Sequence, residues 1–166
     1  MITLCTETMI LAPPERCFDL ARSVDLHAAG AGAIRGRAAA GRTSGLSTLG
    51  DQTTWSAHFF GLPFSLTTQI ATFDRPRGFS DVQSAGLFRH FGHVYTFRPD
   101  GPTRTVMADE LSFQSPFGFA GAALDAFVLR RRMRAVMESR AFSIKRAAES
   151  EEWREYLQDY SQENTP

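Results

Sequence analysis

The 166-residue sequence lacks most features of the specialised protein classes. It has only two cysteines, Cys5 and Cys17, too few for a disulfide framework or a cysteine metal cluster, so we interpret both as reduced and structural. Lys plus Arg equals Asp plus Glu at 18 each, so no overall charge favours nucleic acid or an anionic membrane. No apolar run approaches the roughly 20 residues of a membrane span. The first residues show no targeting signal, which predicts a cytoplasmic location.

Phenylalanine is abundant instead, with 14 Phe against two Trp and three Tyr. Rigid aromatic rings suit a fold that must wall a cavity. The length suits one domain with a real core. We therefore expect a single domain over residues 1–149, followed by an acidic tail at 150–166. The tail either extends the last helix or docks as an arm, with disorder expected beyond Ser161.

Extended runs dominate the first two thirds of the chain and a helical period follows them. Strands are expected at 2–11, 34–40, 53–60, 64–73, 78–85, 88–98 and 103–114, and short helices at 14–22 and 26–31. Short connections rich in proline and glycine force sequential strands to pair antiparallel. The glycine-rich stretch at 30–50 has little side-chain pattern, so the second strand is the least defined.

One long amphipathic helix is predicted from 119 to 149, where no proline occurs. Its expected inward positions recur at helical spacing: Ala122, Ala126, Leu129, Met133, Val136, Met137 and Ile144. The consecutive residues Arg130 to Arg132 are distributed around such a helix, and we interpret them as a solvated face rather than a phosphate or nucleic-acid patch.

Three strands each carry one ionisable side chain among apolar ones on a single alternating face. These residues are Asp81, His93 and Asp109. Since strand side chains alternate with period two, they should point inward with their aromatic neighbours. A tight turn at Gly86 would place Asp81 opposite His93, and symmetric closure of the next loop would place His93 opposite Asp109. Such a polar row on an apolar face is typical of a small-molecule pocket.

Several motifs extend over roughly 145 residues. They are APPERCFD at 12–19, GDQTTW at 50–55, FG at 60–61, DRPRGFSD at 74–81, HVYTF at 93–97, MAD at 107–109, SPFG at 115–118, and Arg140. Together they resemble the START-like, Bet v 1-like SRPBCC superfamily, in particular its polyketide cyclase/dehydrase-like bacterial branch. The resemblance implies an α+β helix-grip fold, with two short helices after strand 1 and a curved antiparallel sheet wrapped around a long C-terminal helix. It also implies a cavity for a hydrophobic or aromatic molecule.

The first functional hypothesis is a binding module for a small hydrophobic or aromatic metabolite. Its wall and polar contacts would be Trp55, Phe59, Leu66, Phe79, Asp81, Gln83, Phe91, His93, Tyr95, Met107, Asp109, Leu111, Ala126, Leu129 and Met133. No cofactor or metal is expected. Members of the resembled branch often carry a second histidine where Tyr95 stands, which argues against a metal or two-histidine mechanism here.

Two other hypotheses belong to different classes. In the second, the chain is a cyclase/dehydratase-type enzyme that uses His93 as general acid/base, with Tyr95 or Asp109 positioning the substrate. A structural alternative is that the two carboxylates only satisfy a buried histidine. In the third, a partner-binding or assembly-factor domain uses the acidic tail and has no cavity above about 300 Å³. Arg140 could pair with a ligand acid or a sheet carboxylate. The sequence neither requires nor excludes a homodimer.

Overall fold

A curved seven-stranded antiparallel sheet dominates the computed structural model, which describes residues 1–30, 36–59 and 62–157. The strand order is β1-β7-β6-β5-β4-β3-β2, so sequential strands are neighbours from β2 to β7 and β1 closes beside β7. The strands are β1 (Ile2–Ile10), β2 (Arg37–Gly41), β3 (Gln52–Phe59), β4 (Leu62–Asp74), β5 (Gly78–Gly86), β6 (His90–Pro99) and β7 (Thr105–Gln114). The expected order of strands is confirmed.

The helices also follow the expected order, with two short ones after the first strand and a long one at the end. They are α1 (Pro14–Ala21), α2 (Val24–Gly30), α3 (Gly118–Leu124), a π-turn (Asp125–Leu129), α4 (Arg130–Glu149) and α5 (Trp153–Leu157). Pro14 opens α1, where its missing N–H would have no partner in any case. From α3 through α4 the chain runs as one long helix against the sheet, and the predicted helix-grip architecture is confirmed.

Because of the π-turn, the residues that face inward at the start of the long helix differ from those predicted. Its turn is wider than an α-turn, so residues four apart stay on one side, and Gly121, Asp125 and Leu129 are buried. Ala122 and Ala126, which the α-period placed inward, are exposed. The prediction of Ala126 as a wall residue is therefore wrong, because the helical period is not constant there.

Two apolar clusters fill most of the space between sheet and helix. The first surrounds Phe18 of α1 and includes Phe79, Tyr95, Phe97 and Ile144. The second lies nearer the start of the long helix: Leu4, Leu66, Phe88, Leu111, Phe113, Leu129 and Met137. Because aromatic rings pack closely in the first cluster, it fills its end of the space between sheet and helix.

The described part of the acidic tail, residues 150–157, docks as an arm and does not continue the long helix. The long helix ends at Glu149, Ser150 has an extended backbone, and Trp153, Tyr156 and Leu157 pack on the first cluster. The guanidinium of Arg16 lies 4.5 Å from the centre of the Trp153 ring. Three expectations fall on residues outside the described ranges: the first part of the second strand at 34–35, the end of the third at Phe60, and disorder beyond Ser161.

Candidate functional site

A pocket remains between the long helix and strands β3 to β6, at the end of the molecule away from the Phe18 cluster. Its volume is about 240 Å³. Predicted wall residues that line it are Trp55, Leu66, Asp81, Phe91, His93, Leu129 and Met133. The structure adds further lining residues, chiefly apolar: His27, Ala57, Phe64, Thr68, Phe88, Leu124, Val136 and Arg140. An apolar wall with few polar groups is the usual character of a small-molecule site.

Among the described residues, two connections contribute strongly exposed side chains to the pocket lining, and we call them the mouth. The β5–β6 turn contributes Leu87, which is 62% exposed, and the β7–α3 connection contributes Phe117, which is 64% exposed. The second connection is held by Asp125 of the π-turn, whose carboxyl oxygens accept hydrogen bonds from the Ser115 N–H at 2.9 Å and the Ser115 hydroxyl at 2.5 Å. The π-turn thus fixes one lip of the pocket.

The polar row predicted on the sheet exists, with one error of register. Asp81 lies opposite His93, as predicted. Asp109, however, lies opposite Tyr95, and His93 lies opposite Leu111. The β6–β7 loop closes in a register in which the partner of His93 comes two residues later along β7 than expected. Asp109 still reaches His93 diagonally, and His93 Nε2 hydrogen-bonds with Asp109 Oδ1. His93 is 2% exposed and lines the pocket, whereas Asp109 lies behind it.

The hydrogen bond to Asp109 fixes the chemistry that His93 can offer. A neutral imidazole that donates through Nε2 has Nδ1 left as an acceptor. Asp109 therefore orients the ring, and Nδ1 is the atom that could accept a proton from a bound hydroxyl. The arrangement is compatible with both the binding and the enzymatic hypothesis.

Asp81 contributes one of four buried side-chain oxygens that lack a hydrogen-bond partner among the described residues, and it is the one on the pocket wall. Its Oδ1 is buried without a hydrogen bond in the part of the chain that the structure describes. Burial raises the pKa of Asp81 above its ordinary value of 3.8, and nearby His93 and Arg140 oppose that rise. A buried unsatisfied oxygen costs about 1 to 3 kcal/mol. Such a cost on a pocket wall is explained when a ligand or water supplies the missing hydrogen bond.

His27 is a site residue that the sequence reasoning missed. Its ring stacks on Trp55 at 4.4 Å between centroids, and its Nδ1 accepts a hydrogen bond from Arg140 Nη2. Burial, Arg140 and His93 together hold the pKa of His27 well below its ordinary value of 6.5, so the ring is neutral. With Nδ1 accepting, the ring proton is on Nε2, which makes His27 a donor.

The meeting of His27 and Arg140 depends on close packing of α2 on α4. A side chain on Gly30 would lie 3.1 Å from the Ser143 hydroxyl and 3.6 Å from the Arg140 Cα, and Ser139 donates a 2.9 Å hydrogen bond to the Gly30 carbonyl. Glycine allows this approach because it has no Cβ. The only sequence signal for His27 was therefore a glycine three residues later.

Arg140 is the cation of the pocket. Its guanidinium carbon lies 5.8 Å from the centre of the Tyr95 ring, and among the described residues it has no carboxylate within ion-pair distance. The expected alternative of an ion pair with a sheet carboxylate is not what the structure shows. Burial raises the pKa of Tyr95, with Arg140 opposing, and its hydroxyl has no hydrogen-bond partner of normal geometry among those residues.

The other predicted site residues have different places. Phe79 and Tyr95 stack on each other at 4.9 Å in the first cluster, while Met107 and Leu111 are buried core. Gln83 holds the β5–β6 turn through hydrogen bonds with the Phe88 carbonyl and N–H. The side chain of Phe59 is outside the described part. In that part, no group of three His, Cys, Asp or Glu could hold a metal ion.

Replacing Asp81 with asparagine is expected to stabilise the protein at neutral pH. Because the folded state raises the pKa of Asp81, the unfolded chain releases its proton first as the pH rises above about 3.8. Wild type therefore loses stability between that pH and the raised folded pKa, and Asp81→Asn does not. Urea unfolding from pH 4 to pH 8 should show the variant gaining relative to wild type. A difference independent of pH, or the same gain in the exposed control Asp74→Asn, would contradict this.

No protein-family model and no curated protein sequence matches the chain. Solved structures do. A protein from Thermus thermophilus has 16% identity and a TM-score of 0.68, covering 89% of this chain and 99% of that one. A START superfamily protein from Mycobacterium smegmatis has 12% identity and a TM-score of 0.65, covering 89% and 97%. An aromatase/cyclase from a Streptomyces species has 13% identity and a TM-score of 0.66, covering 88% and 94%.

These similarities establish the fold alone, since the identities are low. The chain has the START-like, Bet v 1-like helix-grip fold that its motifs predicted. The same fold is used for several unrelated functions, so function has to be argued from the pocket.

Proposed function

We propose that this protein binds a small hydrophobic or aromatic metabolite between its sheet and its long helix. The apolar part of the ligand would contact Trp55, Phe91, Leu129 and Met133, and its oxygen-bearing end would face the polar floor. The solved START superfamily and aromatase/cyclase structures that share the fold make a hydrophobic ligand the natural class.

The unpartnered Asp81 oxygen on an apolar pocket wall is the observation that carries the proposal. Arg140 is a donor near it, His27 lines the same pocket, and Asp81 is the acceptor, or the donor when protonated. A hydroxyl, enol or carboxylate oxygen would satisfy these groups together. The ligand class is therefore an aromatic or alicyclic molecule with one oxygen function at one end.

The pocket volume does not by itself exclude the partner-binding alternative. About 240 Å³ is below the roughly 300 Å³ typical of ligand sites. The lining supports the ligand proposal, because an unpaired carboxyl oxygen of Asp81 lies on the pocket wall that Arg140 also lines.

A pair of helix variants tests the binding site. Met133→Trp adds bulk to the pocket wall, and Ala135→Trp adds the same side chain two residues away on the exposed side. With naphthoic acid as the probe, calorimetry should give at least tenfold weaker binding for Met133→Trp and an unchanged affinity for Ala135→Trp. Equal affinity in both variants would place the probe elsewhere. Native mass spectrometry of protein purified from its own host would identify the natural ligand.

The enzymatic alternative is favoured by one observation, the Asp109-oriented His93 at the pocket wall. In a cyclase/dehydratase mechanism Nδ1 would take a proton from the bound substrate and return it to a leaving hydroxyl. His93→Gln separates the two functions when the co-purified molecule is used as substrate. An enzyme should lose about 100-fold in rate with little loss of binding. A carrier should change only in affinity.

Residues 1–149 would form the ligand-binding domain, and the tail at 150–166 would support it, since its segment Trp153–Leu157 contacts α1. A cytoplasmic location fits such a carrier. None of the described helices is long and apolar enough to cross a membrane.

A further inference from the structure

The outer face of the long helix exposes two large aromatic rings. Phe119 is 93% exposed and Phe127 is 83% exposed. Eight residues, about two turns, separate them, so both rings lie on one side of the helix. Isolated exposed apolar residues are ordinary. Two almost fully exposed phenylalanines on one helix face form an apolar surface that a partner or a membrane could cover.

The stretch of the helix before exposed Glu138 is basic and has no exposed acid. Arg130, Arg131 and Arg134 are exposed, and no ion pair of theirs occurs among the described residues. Between Glu110 and Glu138 the sequence has one acidic residue, Asp125, which is 2% exposed and bonded to Ser115. The protein as a whole has no net charge, so this face is positive only because the acids are elsewhere. We call Phe119, Phe127, Arg130, Arg131 and Arg134 the basic-aromatic face.

The basic-aromatic face is continuous with the pocket mouth. Phe117, two residues before Phe119, forms one lip of the mouth, and exposed Leu87 forms the other. Arg89, also exposed, follows Leu87 in the same turn. Apolar and basic groups therefore lie on or next to two of the connections that line the pocket.

We propose that the basic-aromatic face docks on an anionic lipid surface. A helix lying in the membrane interface buries aromatic rings at the headgroup boundary and holds arginines against the lipid phosphates. A second copy of the chain is disfavoured, since two such faces would bring arginines against arginines. A nucleic-acid backbone would use the arginines without burying both rings. This docking does not depend on the ligand of the pocket, although a lipid-soluble ligand could then reach the mouth directly.

Flotation with lipid vesicles tests the proposal on the full chain. Vesicles of phosphatidylcholine with 30% phosphatidylglycerol should bind the protein at low salt, and vesicles of phosphatidylcholine alone should bind it at least tenfold more weakly. The triple variant Arg130→Gln, Arg131→Gln, Arg134→Gln should lose about 100-fold in affinity, at roughly fivefold per cation. Phe119→Ser with Phe127→Ser should also lose at least tenfold.

Two control variants make the result specific. Phe142→Ser removes a 65% exposed ring further along the same helix, and Arg77→Gln removes a cation at the opposite end of the sheet. Both should bind like wild type. The proposal is overturned by equal binding to both kinds of vesicle, by no binding to either, or by loss that is as large in the controls. It is also overturned if single-stranded oligonucleotide binds more tightly than the anionic vesicles, or if the phenylalanine variant instead abolishes a dimer.

Discussion

Replacing Phe18 with alanine is expected to lower the free energy of unfolding by about 3 to 5 kcal/mol. Phe18 is fully buried and its ring meets Phe73, Phe79 and Phe97 edge-on, with centroid distances of 5.1, 5.4 and 5.6 Å. Removing it takes away apolar burial and three aromatic contacts, and the surrounding rings cannot collapse into the space without leaving the sheet. Urea or guanidinium unfolding of wild type and variant measures the difference.

The matched control is another phenylalanine on an exposed surface. Phe142→Ala removes the same atoms from a position that is 65% exposed, so its stability should stay within about 0.5 kcal/mol of wild type. A loss below about 1 kcal/mol for Phe18→Ala would mean that the first cluster is not the principal core.

Replacing Asp125 with alanine is expected to cost about 2 to 6 kcal/mol of stability and to weaken ligand binding. The change leaves the buried N–H and hydroxyl of Ser115 without partners, at about 1 to 3 kcal/mol each. It also frees the connection that holds Phe117 at the pocket mouth, so affinity for naphthoic acid should fall with stability. Denaturant unfolding and calorimetry on the same preparation measure both.

Asp74→Ala is the control for loss of a carboxylate. Asp74 pairs with Arg77 on the surface, with side chains 63% and 80% exposed, and such pairs contribute little. It should change neither stability by more than about 1 kcal/mol nor binding. If Asp125→Ala weakened neither property, Asp125 would not be the residue that fixes this lip of the pocket.

The unpaired oxygen of Asp81 and hydroxyl of Tyr95 stand apart from these stabilising contacts. Both are buried near His93 and Arg140, where hydrogen-bond partners of the protein's own would have been easy to provide. When a natural protein leaves buried polar groups without hydrogen bonds, it usually does so at a functional site. The expected gain in stability of Asp81→Asn, together with weaker ligand binding, would be the signature of such a trade.

Much of the sheet could be predicted because local sequence signals mark the turns between its strands. Proline and glycine between β3 and β7 mark the turns, and alternation gave the inward face. The pairing of Asp81 with His93 followed from one short turn. The position of Asp109 did not follow, because a longer loop can close in more than one register and a shift moves every later pair.

The polar floor was harder to predict than the wall. Trp55 and Phe91 could be assigned from strand parity, whereas His27 and Arg140 lie 113 residues apart and meet only where α2 packs on α4. The prediction that Ala126 faces inward was wrong, because no local sequence signal indicated the π-turn.

The sequence by itself determined the order of elements, the α+β class and the inward direction of Asp81 and His93, because these depend on periodicity and on turn chemistry within a few residues. Only the tertiary structure decided that aromatic rings fill one end and leave a pocket at the other. It alone also brought His27 to Arg140 and placed the exposed arginines and phenylalanines of the long helix on one basic face. These features depend on packing between elements distant in the chain, and side-chain volumes and helix phase combine there in ways that no local pattern encodes.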